Sequence, residues 1–144
     1  MKNKETLKLK HLAPYLPYRL KGLAQNEFYS GEIETINSLC EDEIVTSADC
    51  ITYGSFKPIL IPLSYLTKEI EVNGEKFVPI EKLKERDSDI EFLGFYQSTF
   101  AFIIDEKAVG IMAIPYYIIQ QLIEWHFDIF NLIEKGLAVD INTI

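Results

Sequence analysis

Cysteine, histidine, glycine motifs and long apolar runs are all scarce in this chain, and each scarcity closes a class of function. The only cysteines are Cys40 and Cys50. They make neither a zinc ligand set nor the dense bridging of a small secreted scaffold, and they read as reduced, partly buried thiols. His11 and His126 are the only histidines, and neither HExxH nor CxxC occurs, so no metal and no cofactor is expected. The 7 glycines are scattered without GxGxxG or Walker spacing, which removes the usual phosphate cradle. A GxSxG elbow is also missing. No apolar run approaches the ~18 to 20 residues that cross a bilayer. The start, MKNKETLKLKHL, alternates Lys with Leu instead of building a signal-peptide core. The expectation is a cytoplasmic protein with no membrane association.

What the chain does have is the means for one core. At 144 residues with 48% hydrophobic content, it reads as a single domain over 1–144, without repeat, linker or low-complexity tract. The net charge of −8 is unevenly spread. Residues 1–21 carry six basic groups and one acid, or +5, and the remaining residues carry eight basic and 21 acidic groups, or −13. Between Glu27 and Asp49 stand seven carboxylates and no Lys or Arg. Such a body repels phosphate backbones, so direct nucleic-acid binding is disfavoured and a protein is the expected partner.

Local patterns divide the chain into strands and helices. Thr6 to Ala13 suits a short helix that Pro14 and Pro17 stop, followed by a strand near Tyr18 to Ala24. GEIETINSL, at 31–39, alternates imperfectly and predicts a strand with Glu32 and Glu34 on the wet side and Ile33 and Ile36 inward. Ile44 to Tyr53 predicts a partner strand, and KPILIPL an edge or extended connection. The strongest local signal is Asn73-Gly74 between the arms Glu69 to Val72 and Glu75 to Val78, a two-residue hairpin. Pro79 then opens a short helix, Ile80 to Arg86, with Leu83 inward. Ile90 to Tyr96 and Phe100 to Asp105 read as two further strands, with QST connecting them and DEKAVG closing the far end of the pair.

From Pro115 to about Lys135, before Gly136, the spacing predicts one long helix. At 100° per residue, Gln120, Gln121, Glu124, Asp128, Asn131 and Lys135 form its polar stripe, and His126 points to the opposite, apolar side. The fold class that follows is α+β: a mostly antiparallel sheet of about five or six strands packed against a long C-terminal helix.

Three groups of residues are candidates for function. His126 is the only plausible centre for an enzyme, as a general base beside an acid or a tyrosine in a cleft. The plain reading is a neutral core histidine bonded to a carbonyl, a tyrosine or a water, so catalysis is not the favoured expectation. The acidic residues Glu32, Glu34, Glu41, Asp42 and Glu43 could draw a basic partner, or mimic DNA for a nucleic-acid-binding protein. Acidity that only keeps a small protein soluble is the simpler account. Tyr15 and Tyr18, in APYLPYRL, could anchor a protein contact, with ordinary packing as the alternative.

The blocks HLAPYLPYRLK, LTKEIEVNGEKFVPIEKL and LIEWHFDIFNLIEKGLAVDINTI, about a third of the chain, resemble a family of small phage and prophage proteins of Bacteroidetes-type bacteria. The resemblance implies a mobile-element setting and brings no activity, and no residue role is carried over. The expected function is that of an accessory protein that binds a macromolecular partner.

Overall fold

The computed structural model describes residues 6–25, 30–46, 50–86, 90–96, 99–104, 107–110 and 116–143. The fold is α+β and the sheets are mostly antiparallel, with short helices. The sequence offers no boundary, yet the chain forms two compact units. The first is Met1–Ile61 with His126–Ile144, and the second, Pro62–Trp125, is inserted between those two segments.

The first unit opens with α1 (Leu9–Leu12) and a 3-10 helix, Ala13–Tyr18, where Pro14 and Pro17 bar an α-helix. Five strands follow: β1 (Lys21–Gln25), β2 (Ser30–Leu39), β3 (Glu43–Thr46), β4 (Cys50–Thr52) and β5 (Phe56–Leu60). Their spatial order is β5-β1-β2-β3-β4, antiparallel throughout, and the strand Val139–Asp140 adds in parallel outside β5. Only a 3-10 turn, Tyr53–Ser55, joins β4 to β5. Four strand spacings of ~4.8 Å would hold those strands ~19 Å apart in a flat sheet. A 3-10 turn rising ~2 Å per residue spans less than half of that. The sheet therefore curls, and β2 is where it bends. Its first half pairs with β1, its second half with β3, and the register shifts between Ile36 and Ser38. Tyr53 Oη ties the closing turn back by donating to the Cys40 carbonyl at 2.6 Å.

Inside the curl lie Leu20, Ala24, Ile36, Ile44, Ile51 and Phe56, all buried. Gly22 is required there, because a Cβ at that position would collide with the Phe56 ring. The expected faces of β2 are corrected at one position each way: Ile33 is 57% exposed and Glu34 only 8%. Pairing explains the inversion. Glu34 stands opposite Gly22 and Ile33 opposite Leu23, so the small, inward-facing positions of β1 fix which side of β2 turns in.

In the second unit, β6 (Ile70–Val72) and β7 (Glu75–Phe77) form the hairpin that Asn73-Gly74 dictates. Both turn residues have positive φ, 52° and 82°. Next comes α2 (Pro79–Arg86), burying Ile80 and Leu83, with Pro79 in its first turn. Lys82 pairs with Glu75 and sits over the Phe77 ring, which tilts against Trp125 at 5.0 Å between centroids. The strands β8 (Ile90–Tyr96), β9 (Thr99–Ile104) and β10 (Lys107–Gly110) make a separate antiparallel sheet, so the end of DEKAVG is a third strand where only a closing segment is expected. Last is α3 (Tyr116–Glu124), with Ile118, Leu122 and Ile123 buried.

The long C-terminal helix is the main correction. Pro115 lies outside the described residues, and α3 stops at Glu124, within the unit that lacks the six-stranded sheet. Among the described residues no helix is long and apolar enough to cross a membrane.

Candidate functional site

After α3 the backbone leaves the helical path because stronger partners claim it. His126 adopts φ 66°, a left-handed conformation costly for a residue with a Cβ. Phe127 then forms a parallel bridge with Ile61. The Ile61 N–H donates to the His126 carbonyl at 2.8 Å and the Asp128 N–H to the Ile61 carbonyl at 2.9 Å. The two points where the chain leaves and re-enters the first unit are thus bonded side by side.

The N-terminal segment clamps this stretch. Tyr15, completely buried, donates its hydroxyl to the Phe127 carbonyl and accepts from the Ile129 N–H at 3.4 Å. His126 Nε2 lies 2.7 Å from the Tyr18 carbonyl, which can only accept, so Nε2 carries the proton. His11, 8% exposed, presents its ring edge to Phe130, centroids 5.9 Å apart. Its Nδ1 accepts from the Lys8 N–H at 3.0 Å, which marks Nδ1 as unprotonated, and the His11 backbone N–H donates to the Lys8 carbonyl. Both histidines are thereby tied to the backbone.

Asp128, 4% exposed, completes the arrangement by accepting from the Leu132 N–H at 2.7 Å and the Ile133 N–H at 2.9 Å. A carboxylate holding two backbone donors caps the turns that follow, as it would a helix start. Asn131 at φ 59° and Gly136 at φ 76° bend those turns further from a helix. In the sequence reading Asp128 was one more residue of a polar stripe. An aspartate four and five residues before the capped Leu132 and Ile133, in a stretch ending at Gly136, was the available sign of a capped turn.

Electrostatics agree with a structural role. Burial lowers the His126 pKa from its ordinary value, the Lys21 charge adds to that, and the bond to Tyr18 opposes it. Burial pushes the Tyr15 phenol well above its usual range, opposed by the Ile129 N–H bond, and the Asp128 charge raises it further. Asp128 is raised by burial, against the two N–H bonds and Lys135. These are groups held by backbone bonds.

The other candidates fall in different places. Glu41 and Asp42 form the exposed turn between β2 and β3, closed by the Cys40 N–H on the Glu43 carbonyl at 2.8 Å, and Glu43 is exposed beside them. Glu32 is exposed, whereas the burial of Glu34 removes it from any acidic face. Tyr18 is half-buried, and the burial of Tyr15 puts it out of reach of a partner. Among the described residues, no group of three His, Cys, Asp or Glu side chains could hold a metal ion. Cys40 and Cys50 are exposed and form no disulfide with each other, where partial burial is the sequence expectation.

Sequence reasoning missed the surface that does emerge, the outer side of β5-β1-β2. Leu23 stands opposite Lys57 on one side and Ile33 on the other, and Lys21 opposite Thr35. Odd-numbered positions of these strands share one face because side chains alternate along a strand. The signal was present as the Gly22 and Ala24 positions, whose small size marks the inward side of β1. Comparison of the chain with protein-family models, with curated proteins and with solved structures finds no match.

Proposed function

We propose that this is a phage- or prophage-encoded accessory protein that works in the cytoplasm by binding a protein partner, without catalysing a reaction. The observation that carries the reading is the use of the titratable side chains. His11, His126, Tyr15 and Asp128 are all spent on backbone groups of one clamp. A general base is oriented by an acid or a hydroxyl, and among the described residues the His126 ring is bonded instead to a main-chain carbonyl, with no carboxylate or tyrosine hydroxyl on it. Exposed charge and the exposed Ile33 lie elsewhere, on the curled sheet and its β2–β3 turn. The DNA-mimic alternative is weakened by the loss of Glu34 from the acidic set.

Affinity capture from a host lysate tests this. The wild-type chain is compared with a Glu41→Lys, Asp42→Lys, Glu43→Lys variant and with Ile33→Asp, each checked for native circular dichroism. One protein captured in stoichiometric amount and lost with a surface variant is the expected result. Capture that ignores every surface change, together with a turnover abolished by His126→Gln, would replace binding by catalysis.

A further inference from the structure

We propose that the outer face of β5-β1-β2 is a docking surface for an acidic protein segment that carries apolar side chains. This rests on the binding function above and names its surface and the chemistry of its partner. Lys57, Leu23 and Ile33 form one line across the three strands, and Lys21 and Thr35 lie two residues further along the same face. Ile33, at 57%, is the most exposed large aliphatic side chain among the described residues. Its neighbour Glu34 is turned inward, the reverse of what solubility alone would select. A strand that shows its isoleucine and hides its glutamate leaves an apolar spot that a partner can cover.

The charges around that spot choose the partner. Lys21 and Lys57 are exposed, and neither pairs with a described carboxylate; the ion pair among the described residues is Lys82 with Glu75. In a chain of net charge −8, two lysines flanking an apolar pair form a local exception. The other half of the curl is the opposite in sign, with Glu41, Asp42 and Glu43 exposed. An acidic segment is therefore repelled from one half and guided to the other. Nucleic acid fits less well: no aromatic ring stands in this line for bases to stack on, and the net charge repels a phosphate backbone.

The test uses the full chain and three fluorescent probes: a short peptide alternating Glu and Leu, its Lys and Leu counterpart, and an oligothymidylate. Fluorescence anisotropy should show tight binding of the Glu/Leu peptide alone. Binding should weaken about tenfold or more in Lys21→Glu/Lys57→Glu and in Ile33→Asp, and should not weaken in Glu41→Lys. These positions are exposed, and Lys57→Ala with Ile33→Ser serves as the milder pair should the reversals unfold. Equal binding of both peptides, or no loss in the variants, overturns the proposal. Oligothymidylate binding lost in the same variants makes the face a nucleic-acid site, and sedimentation showing self-association lost in them assigns it to a second copy; either overturns it as well. If the peptide fails while lysate capture still depends on Glu41, Asp42 and Glu43, this face is eliminated and the binding function stands.

Discussion

Residues 116–124 and residues 125–136 carry the same helical spacing of apolar positions, yet only the first stretch is a helix. In α3 the backbone ladder is internal, and its last bond runs from the Trp125 N–H to the Gln121 carbonyl at 3.1 Å. In the second stretch the backbone groups go to distant partners: Ile61 takes the His126 carbonyl and the Asp128 N–H, and Tyr15 takes the Phe127 carbonyl and the Ile129 N–H. The end of the stretch closes with the Leu137 N–H on the Leu132 carbonyl at 2.9 Å around Gly136, a glycine-terminated turn. Helix periodicity reports which side chains share a face. It does not report whether a distant buried tyrosine and the side chain of an aspartate within the stretch will outbid the i−4 carbonyl, and in a short helix that competition is close because most helical stability comes from packing.

The clamp can be broken to expose this difference. Asp128→Ala should have the largest effect, because it orphans the buried Leu132 and Ile133 donors at about 1 to 3 kcal/mol each. Urea denaturation should register a loss of about 2 to 4 kcal/mol. Hydrogen exchange should accelerate at Leu132 and Ile133 while the amides of α3 keep their protection. Tyr15→Phe follows, at about 1 to 2 kcal/mol, because it preserves the packed ring and removes only the hydroxyl that serves Phe127 and Ile129. An unchanged stability in Tyr15→Phe would mean that the phenol adds nothing beyond its ring.

Where structure follows from neighbours in sequence, the chain was legible. The β6–β7 hairpin needs only Asn73-Gly74, α2 needs only Pro79 and its amphipathic turn, and β8 needs only its β-prone run. The curl of the sheet was not legible, since it depends on β5 returning past β4, β3 and β2 in sequence to pair with β1, where Phe56 meets Gly22. The faces of β2 failed for the same reason, being set by β1. Of the candidate site, the chemistry of His126 as a carbonyl-bonded histidine could be anticipated, whereas its left-handed backbone and its partner Tyr18 could not. The insertion of Pro62–Trp125 leaves no mark in composition, because each unit carries its own strands and apolar residues at ordinary density.

A smaller effect carries a decisive sign. In a helix interior Asn131→Ala would stabilise by about 0.5 kcal/mol, because alanine has the higher propensity. At φ 59° a Cβ without the local bonding of asparagine is penalised, so Asn131→Ala should destabilise by about 1 kcal/mol. Stabilisation in thermal melts would restore the long helix.

The smallest effect is a slope against pH, and it separates His126 from Asp128. The His126 pKa is lower folded than in the unfolded chain, where it is about 6.5, so the unfolded state takes up the proton first. The stability contributed by the neutral ring is complete above that value and falls away as pH drops below it toward the folded pKa. Asp128 runs the other way: its pKa is raised on folding, so its contribution is largest below the ordinary carboxylate value of 3.8 and declines as pH rises through the folded pKa. His126→Gln should therefore flatten the loss of stability just below pH 6.5 and leave the acidic limb intact. Asp128→Asn should alter only the acidic limb. Because the two groups are bonded to opposite ends of the same clamp, a His126→Gln profile that changed on both limbs would mean that the two titrations are coupled through the backbone between them, and the clamp would then respond to pH as one element.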